Sequence, residues 1–346
     1  LVTVLDADAW IHSFYIDELN RVIAGDRSAL KNRIFAPPII FERNWRDTAS
    51  ATRIQDFCWA ALAFQNLNGR SGIGFPLSVY SIPLRVCIDV GYWDTNPESI
   101  AEDMHMFLKA FFKTQAKIRL EPIYVAANLV NLQDDTLFKT MNARFFQAER
   151  HYRGVVDVPY ALRQFFSLKP SMASFIALGK TLEAHILPPT APFFMMLAGP
   201  YCQLLHWTGH RFAGRDFFLV MWTQAFGALG LLILIGVIVP FEQMRRRTNK
   251  IVYDRENPSP WYFLYYIWIA NNVWQFLVVP YVLAGFRWLL PFGHGHYRVA
   301  EKKVKTSQNL DTPSSDARVA PREGKAGPQR DTQLSMAPST KASPIQ

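Results

Sequence analysis

The sequence predicts an α/β domain over residues 1–160, followed by transmembrane α-helices and a disordered C-terminal tail. Three observations carry this expectation. Short apolar runs alternate with helix-period segments through the first 160 residues. The stretch from Phe217 to Phe241, with GALGLLILIGVIV inside it, holds no charged residue, and it is long enough to cross a hydrocarbon core of about 30 Å. From about Lys302 the chain turns to Ser, Thr, Pro, Gln and mixed charge, with too little apolar surface to fold.

The first element is LVTVL, short, rich in branched side chains and read as a buried strand. It runs into Asp6-Ala7-Asp8. Side chains alternate along a strand, so the two carboxylates are expected to point the same way. Two such groups repel unless a proton or a cation lies between them. An oxygen-preferring divalent ion, Mg²⁺ or Mn²⁺, fits that pair and commonly bridges to a substrate phosphate. The plain alternative is a turn or a helix cap, which Asp also favours.

Ile39-Ile40-Phe41 follows Pro37-Pro38 as a second short strand. Thr52–Gln65 is helical by the spacing of Ile54, Phe57, Cys58, Ala61 and Leu62, and Asn66–Gly74 is a Gly-rich turn. The strongest helix signal is NPESIAEDMHMFLKAFFKTQ, with Asn96 as cap and Pro97 and Glu98 in its first turn. Ile100, Met104, Phe107, Leu108, Phe111 and Phe112 form its stripe; Glu102 lies opposite and Asp103 at the edge, where it either overlooks a cleft or belongs to a solvated acidic helix start. In LFKTMNARFFQAERHYRG, Leu137, Phe138, Met141, Phe145 and Phe146 are expected to be buried. Gln147 and Arg150, three apart, share a face there. Residues 161–185, within a stretch mixing Phe165, Phe166 and Phe175 with Arg163, Lys169 and Lys180, read as an interfacial or connector helix.

Residues 186–291 read as a membrane region of two to four spans. Ile186–Trp207 is uncharged but broken by four prolines, and Trp261–Phe286 is uncharged between aromatic ends. Residues 302–346 form the expected tail. Arg245-Arg246-Arg247 close to the membrane favours the cytosolic side for that loop, whereas Lys302, Lys303 and Lys305 after a third span would then lie outside. A break at Pro280 that turns the last segment back would relieve the conflict.

Composition narrows the function classes. The 346 residues carry a net charge of +9, but the basic residues form no stripe with interleaved aromatics and many adjoin apolar runs. That argues for a membrane surface and against nucleic acid. Cys58, Cys87 and Cys202 are far apart with no CxxC, which disfavours a zinc site or a disulfide framework.

Asp6-Ala7-Asp8, then Ala101-Glu102-Asp103 behind VCIDVGYWD, then Gln147-Ala148-Glu149-Arg150-His151 before apolar runs, together resemble glycosyltransferase family 2. Within it they resemble the membrane-embedded branch with the cellulose, chitin and hyaluronan synthases, whose motifs are D-x-D, T-E-D and Q-x-x-R-W in that order. The resemblance implies a GT-A-like catalytic domain over residues 1–160. It implies a nucleotide-sugar donor, expected to be UDP-linked, and a glycan or lipid acceptor. Asp6 and Asp8 would hold Mg²⁺ or Mn²⁺ on the donor diphosphate, and Asp103 would be the general base. Gln147 and Arg150 would line the donor and acceptor region. Trp93 and Asp94, in a stretch like the family's V-G-G-(W/F)-D, would face the acceptor together with Glu102, His151 and Tyr152. The catalytic domain is expected in the cytosol, on an integral membrane protein in contact with lipid.

Three departures accompany the likeness. Ala101 stands where the family has Thr, and His151 followed by Tyr152 stands where it has Trp. The family's nucleotide-gripping first strand lies upstream of its D-x-D, so this chain, opening inside a strand, is expected to lack those first strands. Two other readings stand beside the transferase. One is a catalytically degenerate membrane scaffold on the same fold. The other is an aspartate-based phosphatase, which also places D-x-D after an apolar strand but has Thr or Val where this chain has Trp10.

Overall fold

The computed structural model describes residues 1–45, 48, 50–94, 101–168, 170–187, 189–190, 272 and 274–289, with scattered positions between 200 and 236. In chain order its elements are β1 (Val2–Leu5), β2 (Trp10–Ile11), α1 (Phe14–Gly25), α2 (Ala29–Asn32), β3 (Arg33–Ala36) and β4 (Ile39–Ile40). Next come α3 (Ile54–Gln65), β5 (Val79–Ile82), α4 (Leu84–Val90), α5 (Glu102–Lys113), β6 (Arg119–Pro122) and β7 (Ala127–Asn128). The described part ends with α6 (Leu137–Tyr152), α7 (Asp157–Ser167), α8 (Met172–His185) and α9 (Val279–Leu289).

A four-stranded sheet runs β1-β5-β3-β6. β5 is antiparallel to both β1 and β3, whereas β3 and β6 are parallel. Among the described residues β1 is an edge of this sheet, and Leu5 is 44% exposed. The expectation of a fully buried first strand gives way to a half-buried one. Alternation along β3 explains how the sheet is covered on both faces. Ile34 and Ala36 join a core with α5, through Phe107, Leu108 and Phe111, while Phe35 joins Tyr15 and Leu19 of α1. Phe107 and Phe111 are fully buried; each such ring contributes roughly 2 kcal/mol.

A second sheet, β2-β7-β4, is extended beyond its short strands by side chains. Asn44 and Asn131 bond reciprocally: Asn131 N–H donates to Asn44 Oδ1 at 2.7 Å, and Asn44 Nδ2 donates to the Asn131 carbonyl at 2.9 Å. Asn131 Nδ2 also reaches the Phe41 carbonyl at 2.8 Å. These amides satisfy buried backbone groups that no strand neighbour pairs.

Helix α6 departs from its expected orientation, although Met141 and Phe145 of the expected face are half-buried. Leu137 and Phe138 are 58% and 80% exposed, while Thr140, Arg144, Gln147, Ala148 and Glu149 are buried. The reason is pairing. Arg144 Nη1 donates to Gln147 Oε1 at 2.9 Å, and Arg144 forms a buried ion pair with Asp56 of α3. Glu149 accepts two bonds from Arg287 of α9, at 2.7 and 2.8 Å. A helix start is also later than expected. The segment predicted to begin at Asn96 is helical from Glu102, with residues 95–100 outside the described ones.

Among the described residues no helix is long and apolar enough to cross a membrane. The predicted tail and the expected spans at Ile186–Trp207 and Phe217–Phe241 lie wholly or largely outside the described residues. The described part of the third run is a π-helical turn, Trp274–Val278, that continues into the 11-residue α9. Pro280 would collide with the carbonyl four residues earlier in a regular helix, and the widened turn accommodates it. The chain continues through Pro280 rather than turning back there. This segment packs on α6, with the rings of Tyr152 and Tyr281 5.0 Å apart. The boundary expected at residue 160 falls within α7, and the single connector is two helices, the second opened by a capping box at Ser171 and Ser174.

Candidate active site

β1 and β5 bring the first acidic motif to the second. Their register pairs Leu5 with Val79, which leaves Asp6 opposite Ser78. Asp6 N–H donates to the Ser78 carbonyl at 3.0 Å, and Ser78 N–H donates to Asp103 Oδ2 at 2.9 Å. One residue thus joins the end of β1 to the head of α5. Ser78 adopts φ +57°, the left-handed region that costs a residue with a Cβ about 1 kcal/mol. That conformation points successive backbone groups of Ser78 at the two acidic segments.

The strand stops sooner than the sequence suggested. Ala9 N–H bonds back to the Asp6 carbonyl at 2.9 Å, so Asp6 and Asp8 flank a turn rather than continue an alternating strand. Arg43 Nη1 donates to the Asp8 carbonyl at 2.7 Å and braces that turn. Asp6 is exposed and Asp8 half-buried.

Asp103 is the carboxyl of this site with the most altered environment. Burial, then the charge of Glu102 and more weakly that of Asp6, push its carboxyl up to about 7. Backbone N–H groups of Ser78 and Met104, the latter at 2.8 Å, oppose the rise. A carboxylate tuned close to neutral pH is suited to general-base work. Glu102 itself is exposed at the first position of α5.

The turn of chain before α5 is held from β5 and from α5 itself. Gly91, at φ +80°, and Tyr92, at φ +64°, close α4 with two left-handed residues; Tyr92 N–H returns to the Cys87 carbonyl at 2.8 Å. Trp93 Nε1 donates to the buried Tyr80 hydroxyl at 2.6 Å, so the indole is anchored on β5. Asp94 accepts from Lys109 at 2.8 Å and lies 3.2 Å from His105 Nε2.

The third motif is partly committed to packing. Gln147 is engaged by Arg144, and Arg150 is half-buried on the next turn. His151 Nδ1 lies 3.2 Å from Gln55 Nε2, with its ring edge-on to Trp59 at 5.2 Å. Tyr152 faces Tyr281 and packs over Gly285. The structure thus brings Asp6, Glu102 and Asp103 together, with Asp8 across one turn, and places His151 and Tyr152 against α3 and α9.

Sequence reasoning missed Ser78 and two tertiary pairs. Ser78 carries no local signal. His105 and its partner Asp157 meet only through tertiary packing. The Asp56–Arg144 pair did leave a trace, a carboxylate inside the apolar pattern of α3 and an arginine inside that of α6.

Asp6 and Asp8 offer oxygen donors only, the set that suits a hard divalent cation. Among the described residues no group of three or more His, Cys, Asp or Glu gathers as a metal site. A cation that keeps only one or two carboxylates and takes its remaining ligands from substrate phosphate and water fits this turn.

The model of the glycosyl transferase family group 2 matches residues 1–290, most of the sequence. The chain belongs to this family. No curated protein matches the transferase at a significant level. Membership makes it a glycosyltransferase of mixed α/β fold, acting on a nucleotide-sugar donor and an acceptor.

Proposed function

We propose that this transferase is a membrane-anchored, divalent-metal-dependent, inverting enzyme whose general base is Asp103. The observation that carries the reading is the Ser78 bridge, which ties the backbone of Asp6 to the carboxylate of Asp103. Asp6 and Asp8 would hold Mg²⁺ or Mn²⁺, which supplies charge compensation for the departing nucleoside diphosphate. Asp103 accepts the proton of an acceptor hydroxyl as that oxygen bonds the anomeric carbon. The bond from that carbon to the diphosphate oxygen breaks on the opposite face, and its electron pair leaves with the nucleoside diphosphate. One displacement with one base inverts the anomeric centre. Burial supports the role of Asp103, because a carboxyl held near 7 takes a proton more readily than an ordinary one.

The uncharged run Phe217–Phe241 and the neighbouring Arg245–Arg247 support membrane anchoring with the catalytic domain in the cytosol. The donor is read as UDP-linked and the acceptor as a glycan or lipid hydroxyl. The test is the full-length chain in membranes, supplied in turn with a panel of nucleotide sugars and Mn²⁺ or Mg²⁺, with released nucleoside diphosphate as the readout. At least one donor should turn over, EDTA should stop it, and Asp103→Asn should lower it by about 10² or more. Unchanged turnover in Asp103→Asn removes Asp103 as the base; turnover indifferent to EDTA removes the metal.

A further inference from the structure

The geometry points to His105 as the positioning residue of this site, a clamp between Asp94 and Asp157 that fixes the first turn of the helix bearing Asp103. The inference rests on the reading of Asp103 as base. His105 Nδ1 lies 2.5 Å from Asp157 Oδ1, and Nε2 lies 3.2 Å from Asp94 Oδ2. A carboxylate oxygen only accepts, so Nδ1 donates to Asp157, while Nε2 lies within ion-pair reach of Asp94. Turning the ring would break the Asp157 bond and carry Nε2 away from Asp94. The ring of Tyr160 packs on it at 4.6 Å between centroids.

The partners come from separate elements. Asp94 ends the Gly91–Asp94 turn, and its other oxygen is held by Lys109 of α5, which also donates to the Tyr92 carbonyl at 2.8 Å. Asp157 opens α7, where a carboxylate complements the helix dipole, and it is 1% exposed. His105 follows Asp103 by two residues, about 200° around the helix. The first turn of α5 is therefore pinned on one side by Ser78 through Asp103 and on the other by Asp94 and Asp157 through His105. Behind it, Gly154 admits His185 and Ala101 closely: an added Cβ would lie 2.8 Å from His185 Cε1, a clash, and 3.1 Å from the Ala101 Cβ, a tight contact. His185, buried and held below its usual range by that burial, faces the charge of Asp157 from α8.

A base displaced by about 1 Å costs up to 10²-fold in rate, so release of the clamp should appear in kcat. The experiment compares His105→Gln, Asp94→Asn and the double variant in the full-length enzyme, on the donor that turns over in the panel above, with rates referred to folded protein. Each single variant should lower kcat about tenfold with donor KM within twofold. The double variant should match the worse single variant, because both changes disrupt the shared His105–Asp94 contact. A purely structural role predicts less folded protein with unchanged kcat per folded molecule, and that result overturns the inference, as does multiplication of the two losses. If His105→Gln fails to fold, Asp94→Asn alone decides by the same kcat criterion, since Asp94 lies at the surface. A wild-type enzyme without turnover on any donor overturns the reading of Asp103, and this inference with it. Active wild type with unaffected variants overturns this inference alone.

Discussion

Replacing Asp103 with Asn should stabilise the protein at pH 8 and destabilise it at pH 4. The carboxyl moves from an ordinary 3.8 to about 7 on folding. The folded protein thus binds this proton more tightly than the unfolded chain does, and ionising the group costs stability. The cost begins near pH 4, grows up to pH 7 and is constant above it. At about 1.4 kcal/mol per unit, three units amount to roughly 4 kcal/mol at pH 8. Asn removes that cost but has one acceptor oxygen where Asp103 serves two N–H donors, Ser78 and Met104. One bond is lost, worth about 1.5 kcal/mol. The net expectation is a gain of about 2 kcal/mol at pH 8 and a loss of about 1 kcal/mol at pH 4, with a crossover near pH 5. For a chain of this size the gain reads as a few degrees in Tm. The assay is thermal unfolding of both proteins in EDTA at pH 4, 6 and 8. A difference between them that does not change with pH would refute the electrostatic account, and a less stable variant at pH 8 would reverse its sign.

Other expectations follow from the same contacts. Donor kcat/KM should rise with pH through about 7 as Asp103 loses its proton; a profile already flat above pH 5 would mean an ordinary carboxyl. Arg144→Met removes the buried ion pair with Asp56 and should cost a few kcal/mol, at most about 5, read in a denaturant titration. Gly154→Val drives a side chain into His185 and Ala101, so Tm should drop by several degrees, at about 2 kcal/mol of overpacking; donor turnover should fall with it.

How much of this was legible in the sequence depended on the range of the interaction. The stripe of α5 could be read because Met104, Phe107, Leu108 and Phe111 obey a local period, and all four are buried. The same reading failed on α6, where Leu137 and Phe138 face outward and Arg144 inward. Period alone assigns apolar side chains to the core, and it has no means to see that Asp56 and Arg287 wait across a tertiary contact. The acidic motifs were visible as residues, yet their meeting depends on Ser78, whose left-handed backbone nothing in FPLSV announces. Asp94 and Trp93 were expected at the acceptor. Both also have partners within the fold that the sequence did not announce: Asp94 bonds Lys109 and lies beside His105, and Trp93 bonds Tyr80.

The site depends on a strand register that a slip of one residue would destroy. Leu5 opposite Val79 is what sets Asp6 against Ser78, and Ser78 in turn holds Asp103. A shift by one would turn Val2 and Val4 away from the core and separate the acids, so apolar packing enforces the geometry of the proposed site. The carboxylates so gathered repel one another, and the fold carries that repulsion where a neutral side chain would be more stable. Val2 and Val4 below, the Phe107 layer behind and the His105 clamp at the side are the contacts that hold the acids together against it. Stability gained by neutralising Asp103 and activity lost by the same change are therefore two measurements of one interaction.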